Sequence, residues 1–184
     1  FTACSSSPCS LSNRQPITAR PMVIAHPDGG VLVLIGTGSY FADEDRSSTQ
    51  LQTMYGIRDK LEATPTTITT SMLVQQTIEQ EITATNGDGL NVRIVSDNPV
   101  DYTLKWGWYL NLLSPGLTSS VGERIINDIQ LREDQLVFTT MLPSVDACDY
   151  GGKSWLMELA PMTGRRLSYP VFDINGDGQI DGDD

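Results

Sequence analysis

Apolar residues recur along this chain in short runs, mostly alternating with polar ones and separated by clusters of Gly, Pro, Asn, Asp and Thr. A period of two is what a strand with one buried face requires. Met22-Val23-Ile24-Ala25 reads as a first strand, His26-Pro27-Asp28-Gly29-Gly30 as a turn, and the unbroken Val31-Leu32-Val33-Leu34-Ile35 as a fully buried strand. Leu51 to Asp59 alternates and ends in a charged turn, and the Thr-rich residues 62–71 form a connection. Met72 to Ile82 fits both the helical and the strand period, and its Thr-rich flanks favour strand. Leu90 to Val95 alternates after Thr85-Asn86-Gly87-Asp88-Gly89, so residues 73–95 are expected to form a hairpin. Glu123-Arg124-Ile125-Ile126, Leu136 to Thr140 and Lys153 to Ala160 are further strands, the last running into a turn at Pro161–Arg166. Residues 1–21 show little periodicity and read as loop.

Lys105-Trp106-Gly107-Trp108-Tyr109-Leu110-Asn111-Leu112 is the aromatic centre of the chain. Exposed, these rings would suit sugar stacking; alternation places every second one toward a sheet interior, the reading preferred here. Gly36-Thr37-Gly38-Ser39-Tyr40 lacks both the full spacing of a dinucleotide-binding loop and a following helix, and reads as a strand end where backbones approach closely. An aromatic near the end of a strand that runs into a charged turn occurs at Met54–Asp59 and again at Ser154–Leu159. Strands at this density with almost no helix predict an all-β fold, a sandwich or a β-propeller. Propeller repeats run about 40–50 residues, so residues 1–172 are expected to form part of a larger ring, with residues 173–184 a separate loop.

That loop carries the most specific pattern. From Asp173 as position 1, side-chain oxygens fall at 1, 3, 5, 9 and 12 as Asp173, Asn175, Asp177, Asp181 and Asp184. Hard cations take six to eight oxygens, so ligands must recur every second residue while the backbone curls around the ion. Gly178 permits the sharp turn, the Gln179 carbonyl would supply position 7, and Ile180 would point inward as an apolar plug. Calcium is the expected cofactor, bound in an EF-hand-like loop. Position 12 is Asp184 rather than the longer Glu, which suits a structural site of moderate affinity. No amphipathic helix leads in, and Ser168–Phe172 reads as a short strand. The related tetrapeptide at 86–89 has Ala84 and Val92 at ligand positions and is expected to be only a turn.

The 184 residues carry a formal net charge of −11, five of those charges from the loop aspartates. With no Lys/Arg cluster to neutralise phosphates, DNA, RNA and anionic membranes are poor partners. No apolar run reaches the roughly 18 residues needed to span a bilayer. The chain opens on Phe1 rather than Met, so it reads as a mature or excised segment. Cys4 and Cys9 flank a turn-forming Ser5-Ser6-Ser7-Pro8 and could close a local disulfide, leaving Cys148 over, a usage that fits an exported protein. Nothing here resembles a catalytic constellation: the lone His26 sits beside Pro27, and Asp43-Glu44-Asp45 reads as a solvated turn rather than a catalytic acid pair. A non-enzymatic module is expected. The alternative is a secreted carbohydrate-binding or glycosidase-type β-domain with a structural calcium; dockerins use a similar loop, but in two helical copies.

Several segments, in order, resemble the C-terminal region of the PilY/PilC family. They are Gly36–Tyr40, Gln52–Ile57, Gly107–Leu110, Gly122-Glu123-Arg124, Phe138-Thr139-Thr140, Cys148 with Gly151-Gly152, and Val171–Gly178. The family comprises tip-associated adhesins and assembly factors of bacterial type IV pili. The resemblance covers most of residues 16–184. It implies a modified β-propeller within a larger exported protein, a place at the pilus tip or cell surface, minor pilins as partners, and a role in assembly, extension and retraction, and adhesion. The regulatory calcium loop of the family is shorter and lies earlier in the propeller. Metal binding by Asp173–Asp184 therefore rests on its own spacing.

Overall fold

The computed structural model describes residues 3–4, 10, 13–64, 66–83, 91–144, 152–173 and 178–181, and among these the ordered elements are strands and two short 3-10 turns. The strands are β1 (Ala3–Cys4), β2 (Arg14–Gln15), β3 (Met22–Ala25), β4 (Val31–Gly36), β5 (Thr53–Asp59), β6 (Val74–Gln76), β7 (Ile78–Thr83), β8 (Asn91–Val95), β9 (Gly107–Asn111), β10 (Gln130–Arg132), β11 (Gln135–Leu142) and β12 (Lys153–Leu159). They form a five-stranded sheet in the order β3-β4-β5-β9-β6, a three-stranded sheet β10-β11-β12, and the pairs β1-β2 and β7-β8. Within the large sheet β3, β4, β5 and β9 are antiparallel neighbours, the arrangement of one propeller blade, and β6 adds parallel to β9. The fold is all-β, as the alternation predicts.

Side-chain alternation buries both faces of the large sheet. Leu32 and Leu34 of β4, Met54 of β5 and Trp108 and Leu110 of β9 enter the main core, where Leu136, Phe138, Met157 and Leu159 of the three-stranded sheet meet them. Ile35 and Tyr55 face the other way, into a smaller cluster with Ala3 and Leu73. Trp108 is fully buried and donates its indole N–H to the Pro161 carbonyl at 2.9 Å. Its size is accommodated by two glycines: a Cβ on Gly56 would lie 2.3 Å from Nε1, and one on Gly164 2.1 Å from Cε3. The aromatic centre is thus core rather than a sugar platform. Trp106, half-buried, carries the Lys60 ammonium 4.2 Å above its ring.

Four expectations are corrected. Residues 1–21 are not all loop, because β1 and β2 pair and Gln15 buries its amide against Leu51 O and Thr53 Oγ1 while accepting from Tyr55. The 73–95 segment is not one hairpin. The ladder breaks at Thr77, and Val74–Gln76 joins β9 because buried Gln76 donates to the Asn98 and Thr163 carbonyls. Only β7 and β8 pair as a hairpin would. Glu123–Ile126 is not a strand: Arg124 makes one isolated bridge to Met141, and the next N–H, Ile125, turns to Thr37 O. Ser168–Phe172 bends at Ser168, Tyr169 and Phe172 and has no strand partner among the described residues, its Tyr169 instead meeting Gln135 and Asp134 through side chains. The close approach expected near Gly36 and Gly38 is present, since a Cβ on either would strike Ile125 or Arg124. Cys9, Cys148 and the 85–89 turn lie outside the described residues.

Candidate functional site

The C-terminal loop leaves the core through a firmly held turn. Ala160 N–H donates to Arg165 O, Gly164 N–H to Ala160 O, and Tyr102 hydroxyl to Met162 O. Arg166 then donates its N–H to Ser96 O at 3.3 Å, and the chain runs on to Asp173. The half-buried Asp173 accepts the Gly178 N–H on Oδ2 at 2.8 Å, and Gly178 has φ +85°. This left-handed residue costs little only as glycine. The bond folds positions 1 and 6 of the predicted loop back on each other, which is the curl an oxygen-lined cation loop needs. Gln179 and Asp181 are exposed on the same stretch. Asn175, Asp177 and Asp184 lie outside the described residues, and among those described no cluster of three acidic, Cys or His side chains is assembled. The inward plug is corrected: Ile180 is 57% exposed, with no second loop or helix packed on it among the described residues.

A second set of polar groups is buried between the sheets, and sequence reasoning passed over it. Arg93 on β8 donates to both carboxylate oxygens of Glu123 and to Glu81 on β7, while its guanidinium lies 4.1 Å from the Trp155 ring centroid on β12. The Arg93 and Glu123 side chains are 3% and 1% exposed. Arg124 donates to the carbonyls of Gly122, Ser39, Asp45 and Ser48, and burial lowers its pKa. It thereby ties down the 3-10 turn Asp43–Arg46. Asp45 accepts from the Ala42 and Phe41 N–H groups and the Ser39 hydroxyl, and these bonds hold its carboxyl below the usual range. Asp43 and Glu44 stay exposed, so this acidic run is a solvated, capped turn. His26 is buried edge-on to Tyr102, and burial reinforced by Arg58 lowers its pKa. The signal for the arginine clamps was a charged residue within a strand-like pattern, as with Arg93 and Glu123-Arg124; Glu123 lies 30 positions from Arg93, and Ser39 lies 85 from Arg124.

A four-stranded antiparallel meander packed face-on against a second sheet, with the turn after β12 locking the two together, defines part of a β-propeller. The family described as the PilY1 beta-propeller domain matches residues 3–90. The chain is 36% identical over 192 residues to the type IV pilus biogenesis factor PilY1 of Pseudomonas aeruginosa strain UCBPP-PA14, covering 92% of this chain and 16% of that protein. A PilY1 homolog of Xylella fastidiosa is 36% identical over 152 residues, covering 82% of this chain and 10% of its own length. The crystal structure of the Pseudomonas aeruginosa PilY1 C-terminal domain superposes with a TM-score of 0.79 at 32% identity, covering 92% of this chain and 36% of that one. The chain belongs to the PilY/PilC family and corresponds to part of its C-terminal β-propeller region. It spans 16% of the length of the first of these relatives.

Proposed function

We propose that this chain is a non-enzymatic, calcium-binding portion of the propeller of a type IV pilus tip-associated protein, acting in pilus assembly, extension and retraction, and surface adhesion. The observation that carries the pilus role is 36% identity across 92% of the chain to a protein named as a type IV pilus biogenesis factor. An exported, cell-surface location follows from that role. It is supported by the disulfide-bonded state of Cys4. No helix among the described residues is long and apolar enough to cross a membrane. Minor pilins at the tip and the remainder of its own propeller are the proposed partners, with a surface receptor a further one.

Calcium would be held by Asp173, Asn175, Asp177, Asp181 and Asp184 with the Gln179 carbonyl. The Asp173–Gly178 closure supports this assignment, because it pre-forms the turn that a bound cation would otherwise have to impose. Hard oxygen donors supply the charge balance, and the cation would relieve repulsion among crowded carboxylates. The role of this chain's own residues is to fix the loop to the core through the 160–166 turn. Isothermal titration with calcium should give a dissociation constant of about 0.1–1 mM, the range of extracellular modules. A hundredfold excess should then stabilise the fold by about 2.7 kcal/mol. Asp173→Ala should abolish both effects. An unchanged melting temperature in saturating calcium refutes the metal site, while normal piliation of a strain lacking the protein refutes the pilus role.

A further inference from the structure

A cavity of about 730 Å³ lies between β8 and β12. Every residue of 91–95 and of 153–159 lines it. Successive strand residues point to opposite faces, so a cavity touched by all of them lies along the backbone edge of the strand rather than on one face. Both edges are open among the described residues: β8 pairs with β7, β12 pairs with β11, and neither has a second neighbour. The Arg93–Trp155 stack bridges the two strands, and Arg166 spans one end, donating to the Val95 carbonyl. Tyr169 and Phe172 add apolar wall. Leu156 and Ile82 are left 49% and 42% exposed beside it.

We infer that this slot is the seat of one extended strand, which hydrogen-bonds to the free edge of β12 and sets its side chains among Trp155, Tyr169 and Phe172. The dimensions fit. With sheet spacings of about 3.4, 4.8 and 10 Å, one strand residue fills roughly 160 Å³, so the cavity holds about four to five residues, matching the five of β8. Unprotected edges are normally blunted by charges, Pro or bulges; β12 is charged only at Lys153 and Glu158, and Ser154–Met157 between them carry none of the three. The occupant is a strand of the same polypeptide from outside residues 1–184. Among the described residues the sheet β10-β11-β12 has three strands where the neighbouring meander has four, and four is the number in a propeller blade. The first of the relatives is also far longer, this chain spanning 16% of it, so a donor strand is available. This rests on the reading of the chain as part of a larger ring, and it names where the ring's remaining polypeptide engages.

Residue-resolved amide hydrogen exchange on the full-length polypeptide tests it. In an edge strand alternate amides of 153–159 face solvent and exchange freely; with the slot filled, both sets slow by at least about a hundredfold. Uniform protection across β12, independent of protein concentration and present without any added partner, is the expected result. Freely exchanging alternate amides overturn the inference. If at the same time the edge of β3, Met22–Ala25, is protected, the larger ring stands and only the slot assignment falls. Free exchange at both edges removes both. Protection that grows with protein concentration indicates a second copy, and protection that appears only on adding a pilin indicates an intermolecular strand. Either overturns the intramolecular assignment.

Discussion

Replacing Arg93 with Met tests what fastens the β7–β8 hairpin to the rest of the molecule. The Arg93 guanidinium sits 2.8 Å from Glu123 Oε2 and 2.8 Å from Glu81 Oε1, and stacks 4.1 Å from Trp155. Glu123 is 1% exposed, so its carboxylate depends on the Arg93 guanidinium for compensation. Breaking one side of a buried pair costs about 3–5 kcal/mol, because the remaining charge stays desolvated. That is a large part of a total stability of about 5–15 kcal/mol. At about 2–4 °C per kcal/mol for a chain of this size, the melting temperature should fall by about 6–20 °C. Urea unfolding of Arg93→Met, Glu123→Leu and the double variant supplies the decisive comparison. If the penalty is stranded charge, the double variant should be more stable than Arg93→Met alone, by more than about 1 kcal/mol. A single variant losing less than about 1 kcal/mol, or strictly additive losses, would refute the reasoning.

Gly164→Ala combines a disfavoured φ of +67° with a Cβ 2.1 Å from Trp108 Cε3; it should lose about 1–3 kcal/mol and shift near-ultraviolet circular dichroism of the buried indole. His26 titrates below its ordinary value of 6.5 through burial, then Arg58, with Asp28 opposing. The unfolded chain therefore takes up the proton first, and the contribution, full above pH 6.5, falls as pH drops below it. His26→Phe should flatten that part of the pH–stability curve, and an unchanged slope would count against it. Asp45 has the opposite chemistry with the same direction. Held below its usual 3.8 by backbone N–H donors, first that of Ala42, its contribution is present above that value and lost as pH falls through the folded value. Asp45→Asn should shorten the acid limb and loosen residues 39–48 in hydrogen exchange. Arg124→Met should loosen the same residues at every pH, since four carbonyls lose their donor.

The alternation of β5 and β9 and the unbroken apolar run of β4 settle by themselves that this chain makes sheets, and the alternation also says which face of β5 and β9 is buried, because a period of two leaves one geometry that removes apolar side chains from water. A left-handed Gly178 beside Asp173 was legible because it depends on neighbours within a few positions; Trp108 was legible as core from its alternation, although the Pro161 carbonyl and the two glycines that receive its ring lie far along the chain. Partner choice was not legible. Whether Val74–Gln76 continues into β7 or leaves for β9 depends on Gln76 finding the Asn98 and Thr163 carbonyls, the latter 87 positions away. Whether Glu123-Arg124 reads as strand or clamp depends on Arg93, Ser39, Asp45 and Ser48 arriving around it. A local pattern fixes the period of a segment and the sign of its exposure. Only the closed tertiary packing, which strands a charge or carbonyl unless a distant partner arrives, decides which edges pair and which ions are buried.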